Sequence, residues 1–484
     1  MTDTPADGLP STVTAAAAAL RAGTVTSTAL VEHAVRTADR LDPRVGSFIS
    51  RYREESLAAA ARADADFAAG TDRGPLQGIP FGVKDIIAST DGPTTAQSLV
   101  LDPAWGEETG DAVVVSRLRA AGAIVVGKAS TMEFAIGSPD PEKPFPIPAN
   151  PWDLERWAGG SSSGTGSGVA AGMFLAGLGT DTAGSIRIPS AYCGITGLKP
   201  TFGRVPKSGC VPLGYTLDNI GPMARSAADC ALLLGLIAGP DASDHYSADV
   251  QVDDYSGALA DGAGDLSGLT IGVDDLVAAS DGHVDPAFRA RFDAALGELA
   301  AAGARIVPLS LPLYAELTAA DMVVMLSEAL AYHQGDLSRR WADYGAGTRM
   351  TVGSGFAFTG ADYVQAQRVR RVGQRMVAGL LEGVDAIVTP TSTLPAPRLD
   401  EFADRVPLLS FGGLHTPYWN SVGNPTLAVP IGPAADGLPL SMQISTRPFA
   451  EALALRVGDA YQRRTAHHLS VPPLALAEPV AAVN

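Results

Sequence analysis

Cysteine is scarce in this chain of 484 residues: three are present, Cys193, Cys210 and Cys230, with no CxxC pair. Their spacing matches no metal-ligand pattern, and an odd, sparse count fits a reducing compartment, where a free thiol packs as a small hydrophobe. Charge is also thin, at 18% of residues, and no dense Lys/Arg run occurs. The short strings Arg339-Arg340 and Arg368-Val369-Arg370-Arg371 read as solvated helix faces. With a formal net charge of −17, the chain repels phosphate backbones, so no nucleic-acid partner is expected. The N-terminus lacks a basic segment, and the run Ala15–Ala19 is too short for a signal sequence or a membrane span. The expected location is the cytoplasm, with no membrane partner.

What is present is apolar residue and turn: 46% hydrophobic, with 53 glycines and 35 prolines. That composition suits a compact enzyme with many tight turns better than a disordered or coiled-coil chain. Length alone allows two to four domains or one large α/β unit.

Residues 1–70 read as helices, one capped by Ser11 or Thr12 and ended by Gly23, one from Ser27 to Arg40 closed by Leu41-Asp42-Pro43, and one over 54–69. From Gly78 onward short apolar runs alternate with helical ones. Strands are predicted over 79–87, 123–126, 174–179, 269–273, 304–307, 384–388, 426–429 and 440–444. Helices are predicted over 111–121, 164–171, 226–238, 286–302 and 449–463. The alternation argues for an α/β protein whose sheet is largely parallel and covered by helices on both sides. The acidic, Gly/Ala/Ser-rich stretch 239–268 reads as a surface excursion, and the tail after His468 as loosely attached.

Chemistry concentrates in three segments. Gly159-Gly160-Ser161-Ser162-Ser163-Gly164 and Asp181-Thr182-Ala183-Gly184-Ser185-Ile186-Arg187 place two serines 24 residues apart, and Gly78-Ile79-Pro80-Phe81-Gly82-Val83-Lys84-Asp85 supplies a lysine among apolar residues. Four readings compete for the Gly/Ser segment. A flexible linker sits poorly between strongly apolar neighbours. A phosphate loop lacks its Gly-Lys-Ser/Thr ending. An α/β-hydrolase elbow around Ser162, with His333 or His415 downstream, leaves Lys84 and residues 180–200 without a role. The fourth reading uses every part: Ser185 as nucleophile, Ser161 as a bridging hydroxyl, and Lys84 as the base. The N–H groups of Thr182, Ala183, Gly184 and Ser185 would face the oxyanion. An ordinary lysine is neutral in only roughly one molecule in 2,500 at pH 7, so this base works only if burial lowers its pKa. The bland alternative is a surface Lys84 paired with Asp85.

These segments resemble the amidase signature family. The resemblance extends through residues 74–85, Gly127-Lys128, residues 133–137, Asn150-Pro151-Trp152-Asp153, residues 179–201, Val388-Thr389-Pro390-Thr391, residues 420–430 and Gly437-Leu438-Pro439. It implies one large α/β/α domain with a mixed, largely parallel twisted sheet. The signature core would span about 78–225 and a variable substrate side about 240–380, with residues 1–70 packing on the rest. It also implies a Ser–cis-Ser–Lys triad of Ser185, Ser161 and Lys84, an acyl-enzyme, and no metal or cofactor. Phe134, Gly137 and Ser138, with parts of 323–332, are the expected pocket walls. Asp181, Arg187 and Thr165 are the expected supports, the first two as an ion pair beneath the signature loop. Cys193 is expected to be core packing. The chain departs from the family pattern at Ser163-Gly164-Thr165, Ala183 and Ser130. The first two variants resemble a branch that cleaves allophanate, biuret and related ureides, without the extra C-terminal domain of the large allophanate hydrolases.

The leading expectation is a stand-alone hydrolase of a carboxylic amide, or of a related ester, carbamate or ureide, whose partners are a small-molecule amide and water. A homodimer is compatible with it. The alternatives are the glutaminase component of a tRNA-dependent amidotransferase, a biuret or allophanate-type hydrolase, and a non-catalytic binding protein on the same scaffold.

Overall fold

A computed structural model describes residues 8–262, 264–402 and 412–476. Eleven of its strands form one sheet. The strands are β1 (Phe48–Arg51), β2 (Pro80–Lys84), β3 (Ile124–Ala129), β4 (Ala149–Asn150), β5 (Asp153–Trp157), β6 (Ala176–Asp181), β7 (Thr196–Lys199), β8 (Asn219–Ala224), β9 (Thr270–Val273), β10 (Arg305–Pro308), β11 (Ala386–Ser392), β12 (Thr426–Pro433) and β13 (Pro439–Ser445). Their order in the large sheet is β1-β3-β2-β6-β8-β7-β12-β13-β11-β9-β10, while β4 and β5 pair separately.

The sheet is helix-covered, as the alternation of elements predicts, and mixed, as the family resemblance implies. Parallel pairing runs through two blocks, β3-β2-β6 and β11-β9-β10. The strands between them, and the edge strand β1, pair antiparallel. Strands β2, β6, β7, β8, β11 and β13 are buried along their whole length, so none shows the apolar/polar alternation of a half-exposed strand.

Helix starts follow local chemistry. Thr12, Thr26 and Ser226 each accept a bond from a first-turn N–H, and Thr359 with Asp362 forms a reciprocal capping box. The predicted elements recur within a few residues, with four differences. The helix Ser27–Val45 runs through Pro43 to Gly46, because a proline near a helix end costs few interior bonds when Gly46 takes the left-handed cap. Residues 1–70 are not purely helical, since β1 lies among them and pairs with β3. The excursion 239–268 contains the helix Tyr255–Gly262, and Tyr255, Leu259 and Leu266 enter the core. The tail after His468 carries the short helix Pro473–Leu476, and residues 477–484 lie outside the described residues.

Arg370, expected on a solvated face, is buried instead. It donates to the Ser421 carbonyl and to Thr216. No helix among the described residues is long and apolar enough to cross a membrane.

Candidate active site

Parallel neighbours β2 and β6 end side by side, Lys84 closing the first and Asp181 the second. Crevices outside the carboxyl ends of parallel strands are where open α/β sheets bind ligands. Between those ends lies the Gly/Ser segment, whose helix Ser163–Ala171 leads back into β6. Every residue from Gly159 to Gly168 is buried, which removes the linker reading. Gly164 is required by space: a Cβ there would stand 2.5 Å from Ser130 N and closer still to the Ser47 carbonyl.

Lys84 is fully buried. Its Nζ donates to Ser161 Oγ at 2.8 Å and to Thr180 Oγ1 at 2.7 Å, with no carboxylate in contact. Burial lowers its pKa from 10.5 to about 7, opposed only in part by Cys210, Asp181 and Asp218. Asp85 does not pair with it. Successive side chains of an extended segment leave on opposite sides, and Asp85 instead meets Lys128 at 3.5 Å. Thr131 Oγ1 and Met132 N hold the Ser161 carbonyl at 2.9 and 3.1 Å, and the Gly160–Ser161 peptide is cis.

Ser185 sits on the turn after β6. Gly184 in that turn has φ +132°, and a Cβ would run into Thr416, so the residue must be glycine. Ser161, Ala183 and Ser185 all line one cavity of about 390 Å3. Among the described residues the N–H groups of Ala183 and Ser185 have no hydrogen-bond partner. The expected set of four donors needs correction at Gly184, whose N–H donates to Asp181 Oδ1 at 2.9 Å; Thr182 lines a different cavity with its hydroxyl on Asp218.

Beneath the turn, Asp181 and Arg187 form a fully buried pair at 3.0 Å. Burial pushes the Asp181 carboxyl up, but the Arg187 charge and hydrogen bond, with Lys199 and Asn420, outweigh it and hold the pKa at about 2. Arg187 further donates to the Thr416 carbonyl, Gln443 and Asn420. Every one of these contacts is internal, so the pair is a scaffold that fixes the turn. Thr165 has a similar supporting place, donating to the Leu178 carbonyl of β6 at 3.1 Å.

Gly137 lines the cavity; Phe134 and Ser138 do not. Phe134 adopts φ +49°, which turns its ring inward against His333 at 4.4 Å between centroids, and Ser138 opens on a separate small cleft. The helix Tyr314–Arg340 supplies Met325 from the expected stretch, and Thr318 and Met322 from just before it. Ser162 is tied to the backbone of Thr180, His333 to Tyr344, and His415 to Ser280 and Tyr314. None of these histidines serves Ser162, so the hydrolase-elbow reading falls. Cys193 is buried, its thiol pushed well above the usual range by desolvation, which is packing behaviour. Thr180 is a site residue that sequence reasoning misses; a polar residue one position before Asp181 on a buried strand is the one signal available.

The Amidase family's sequence model matches residues 29–455. The chain belongs to the amidase family. A glutamyl-tRNA(Gln) amidotransferase component from Chloroflexus aggregans is 38% identical over 96% of this chain and 99% of its own. The native peptide amidase of Stenotrophomonas maltophilia is 30% identical, with a TM-score of 0.80 over 94% of this chain and 96% of that one. A structure described as a vestigial protein complex that reveals the evolutionary origins of an s-triazine catabolic enzyme is 32% identical, with a TM-score of 0.83 over 92% and 97%. The protein is thus a hydrolase of amide C–N bonds on the fold these amidases share.

Proposed function

We propose that this amidase cleaves a carboxylic amide through an acyl-enzyme on Ser185. The observation that carries the reading is a dry Lys84 amine 2.8 Å from the Ser161 hydroxyl. With a pKa of about 7, a large share of the amine is unprotonated at neutral pH, and the neutral form accepts a proton instead of donating one. Ser161 passes its proton to Lys84 and takes the proton of Ser185, whose Oγ bonds to the amide carbon. Negative charge on the carbonyl oxygen is met by the Ala183 and Ser185 N–H groups. Collapse breaks the C–N bond, and the leaving nitrogen takes the proton back along the same hydroxyl. Water then attacks the acyl group on Ser185 by the reverse relay, releasing the acid. Esters, carbamates and ureides present the same carbonyl to the same nucleophile.

Purified protein assayed alone for ammonia or amine release from an amide panel tests this, with Ser185→Ala as control. Turnover that vanishes in the variant supports it; full activity in the variant refutes it.

A second reading is favoured by the relatives. Several that match nearly the whole chain are named as components of glutamyl-tRNA(Gln) amidotransferase, and the same relay would serve a glutaminase that acts within such an assembly. Glutaminase activity appearing only with the other components present would establish that reading, and would place the protein beside a tRNA-binding complex.

A further inference from the structure

The variable helix Tyr314–Arg340 puts Thr318, Met322 and Met325 on the cavity. Their spacing is i, i+4, i+7, a single stripe on one helix face. Met132, Ile136 and Trp157 from the signature side line the same cavity. The Ser161 and Ser185 hydroxyls therefore open onto a chamber lined by thioether, aliphatic and indole surface. Every side chain that lines it among the described residues is uncharged.

We infer that the substrate carries a neutral, bulky hydrocarbon group, alkyl or aryl, on the cleaved amide, and that Met322 and Met325 set which groups fit. The inference rests on the amide-hydrolase reading. Burying a hydrocarbon against these walls is favourable in proportion to the area removed from water. A charged head behaves oppositely: glutamine would bring an ammonium and a carboxylate into contact with methionine and leucine, losing hydration without gaining counter-charges from the described residues. Methionine is unbranched and polarizable, so a wall built from it adapts to several hydrocarbon shapes. The chamber should accordingly be broad among apolar amides and strict against charged ones. Besides Ser161 and Ser185, the threonines Thr318, Thr351 and Thr416 add hydroxyls to an otherwise apolar wall, and none supplies charge.

The test compares kcat/KM for hexanamide, phenylacetamide and glutamine with the full-length protein, using ammonia release. A fluorophosphonate probe, with mass detection on Ser185, is run alongside. Wild type is expected to prefer both hydrocarbon amides over glutamine by at least about 100-fold. Met325→Lys should lower kcat/KM on the hydrocarbon amides by at least about 10-fold, with melting temperature checked for folding. If that variant does not fold, Met325→Ala replaces it and should shift the ratio of hexanamide to phenylacetamide by about 3-fold or more. A labelled Ser185 with glutamine turned over as well as the hydrocarbon amides overturns the substrate assignment and leaves the hydrolase reading standing. So does labelling with no turnover of either hydrocarbon amide, or a folded variant whose substrate ratios do not move. An unlabelled Ser185 with no amide cleaved removes both readings together.

Discussion

The two sides of strand β2 each bury one lysine, and their surroundings differ. Lys84 is enclosed by hydroxyls alone, Ser161 and Thr180. Lys128, from the neighbouring strand β3, is equally buried but sits beside the Asp85 carboxylate at 3.5 Å and donates to the Ile87 carbonyl and Thr94 at 2.6 Å. Burial lowers the pKa of both, but at Lys128 the carboxylate opposes it. An amine that lacks a counter-charge gives up its proton readily, while one that has it is held as part of a pair. In the proposed relay, burial beside a hydroxyl leaves Lys84 able to act as the base, whereas burial beside a carboxylate holds Lys128 as a strut.

Substitutions can break that contrast, and the largest effect is expected at the end of the relay. Ser185→Ala should reduce kcat by about 10^4-fold or more in steady-state assays, since the proposed acyl bond forms on its Oγ. Lys84→Met should cost at least about 10^2-fold in kcat/KM yet raise stability. The folded pKa of Lys84 is depressed, so between about 7 and 10.5 the unfolded chain binds more protons. Stability therefore rises with pH across that window, and the burden of burying the amine is fully present below it. Thermal denaturation at pH 7 should show the Met variant more stable by a few kcal/mol, of order 4. Lys128→Met is the opposite case. It leaves the Asp85 carboxylate buried without its counter-charge and should destabilise the fold by about 3–5 kcal/mol in denaturant melts, while Ser185 in the folded fraction still labels with fluorophosphonate.

A smaller effect is expected from Thr180→Val, which removes one of the two hydroxyls on Lys84. It should move the pH at which kcat/KM rises rather than abolish activity, with a loss within about 10-fold. A variant whose pH profile superimposes on wild type would mean that Thr180 only packs.

Much of the proposed relay is legible in the sequence because its parts must be specific residues in tight quarters. The glycines at 159, 160, 164 and 184 mark places where a side chain would collide, and Lys84 stands out in an apolar strand. The donor set comes out too broad, because nothing in the residue order shows that Gly184 N turns to Asp181. Fold class follows from alternating apolar and helical segments. The antiparallel middle is harder to see: β7 is Thr-Gly-Leu-Lys and β8 contains Gly221 and Pro222, a composition that reads as turn. The long helices Tyr314–Arg340 and Gly360–Gly383 are legible only as the short helix faces at Arg339-Arg340 and residues 368–371, and their extent escapes. Charges and apolar residues are interleaved along the first, and its inward face is divided between core and cavity, so no single stripe stands out. The family resemblance puts Phe134 on the pocket, and its left-handed backbone turns the ring inward against His333.

The central claim is that Lys84 is a neutral base in the folded protein. Lysine 13Cε chemical shifts, followed by NMR as a function of pH in the intact chain and assigned by loss of the signal in Lys84→Met, measure it directly. The account predicts a midpoint near 7, coinciding with the rise of kcat/KM on an amide substrate. A midpoint at about 10 or above, the range of an ordinary lysine, with activity already complete at neutral pH, would contradict it.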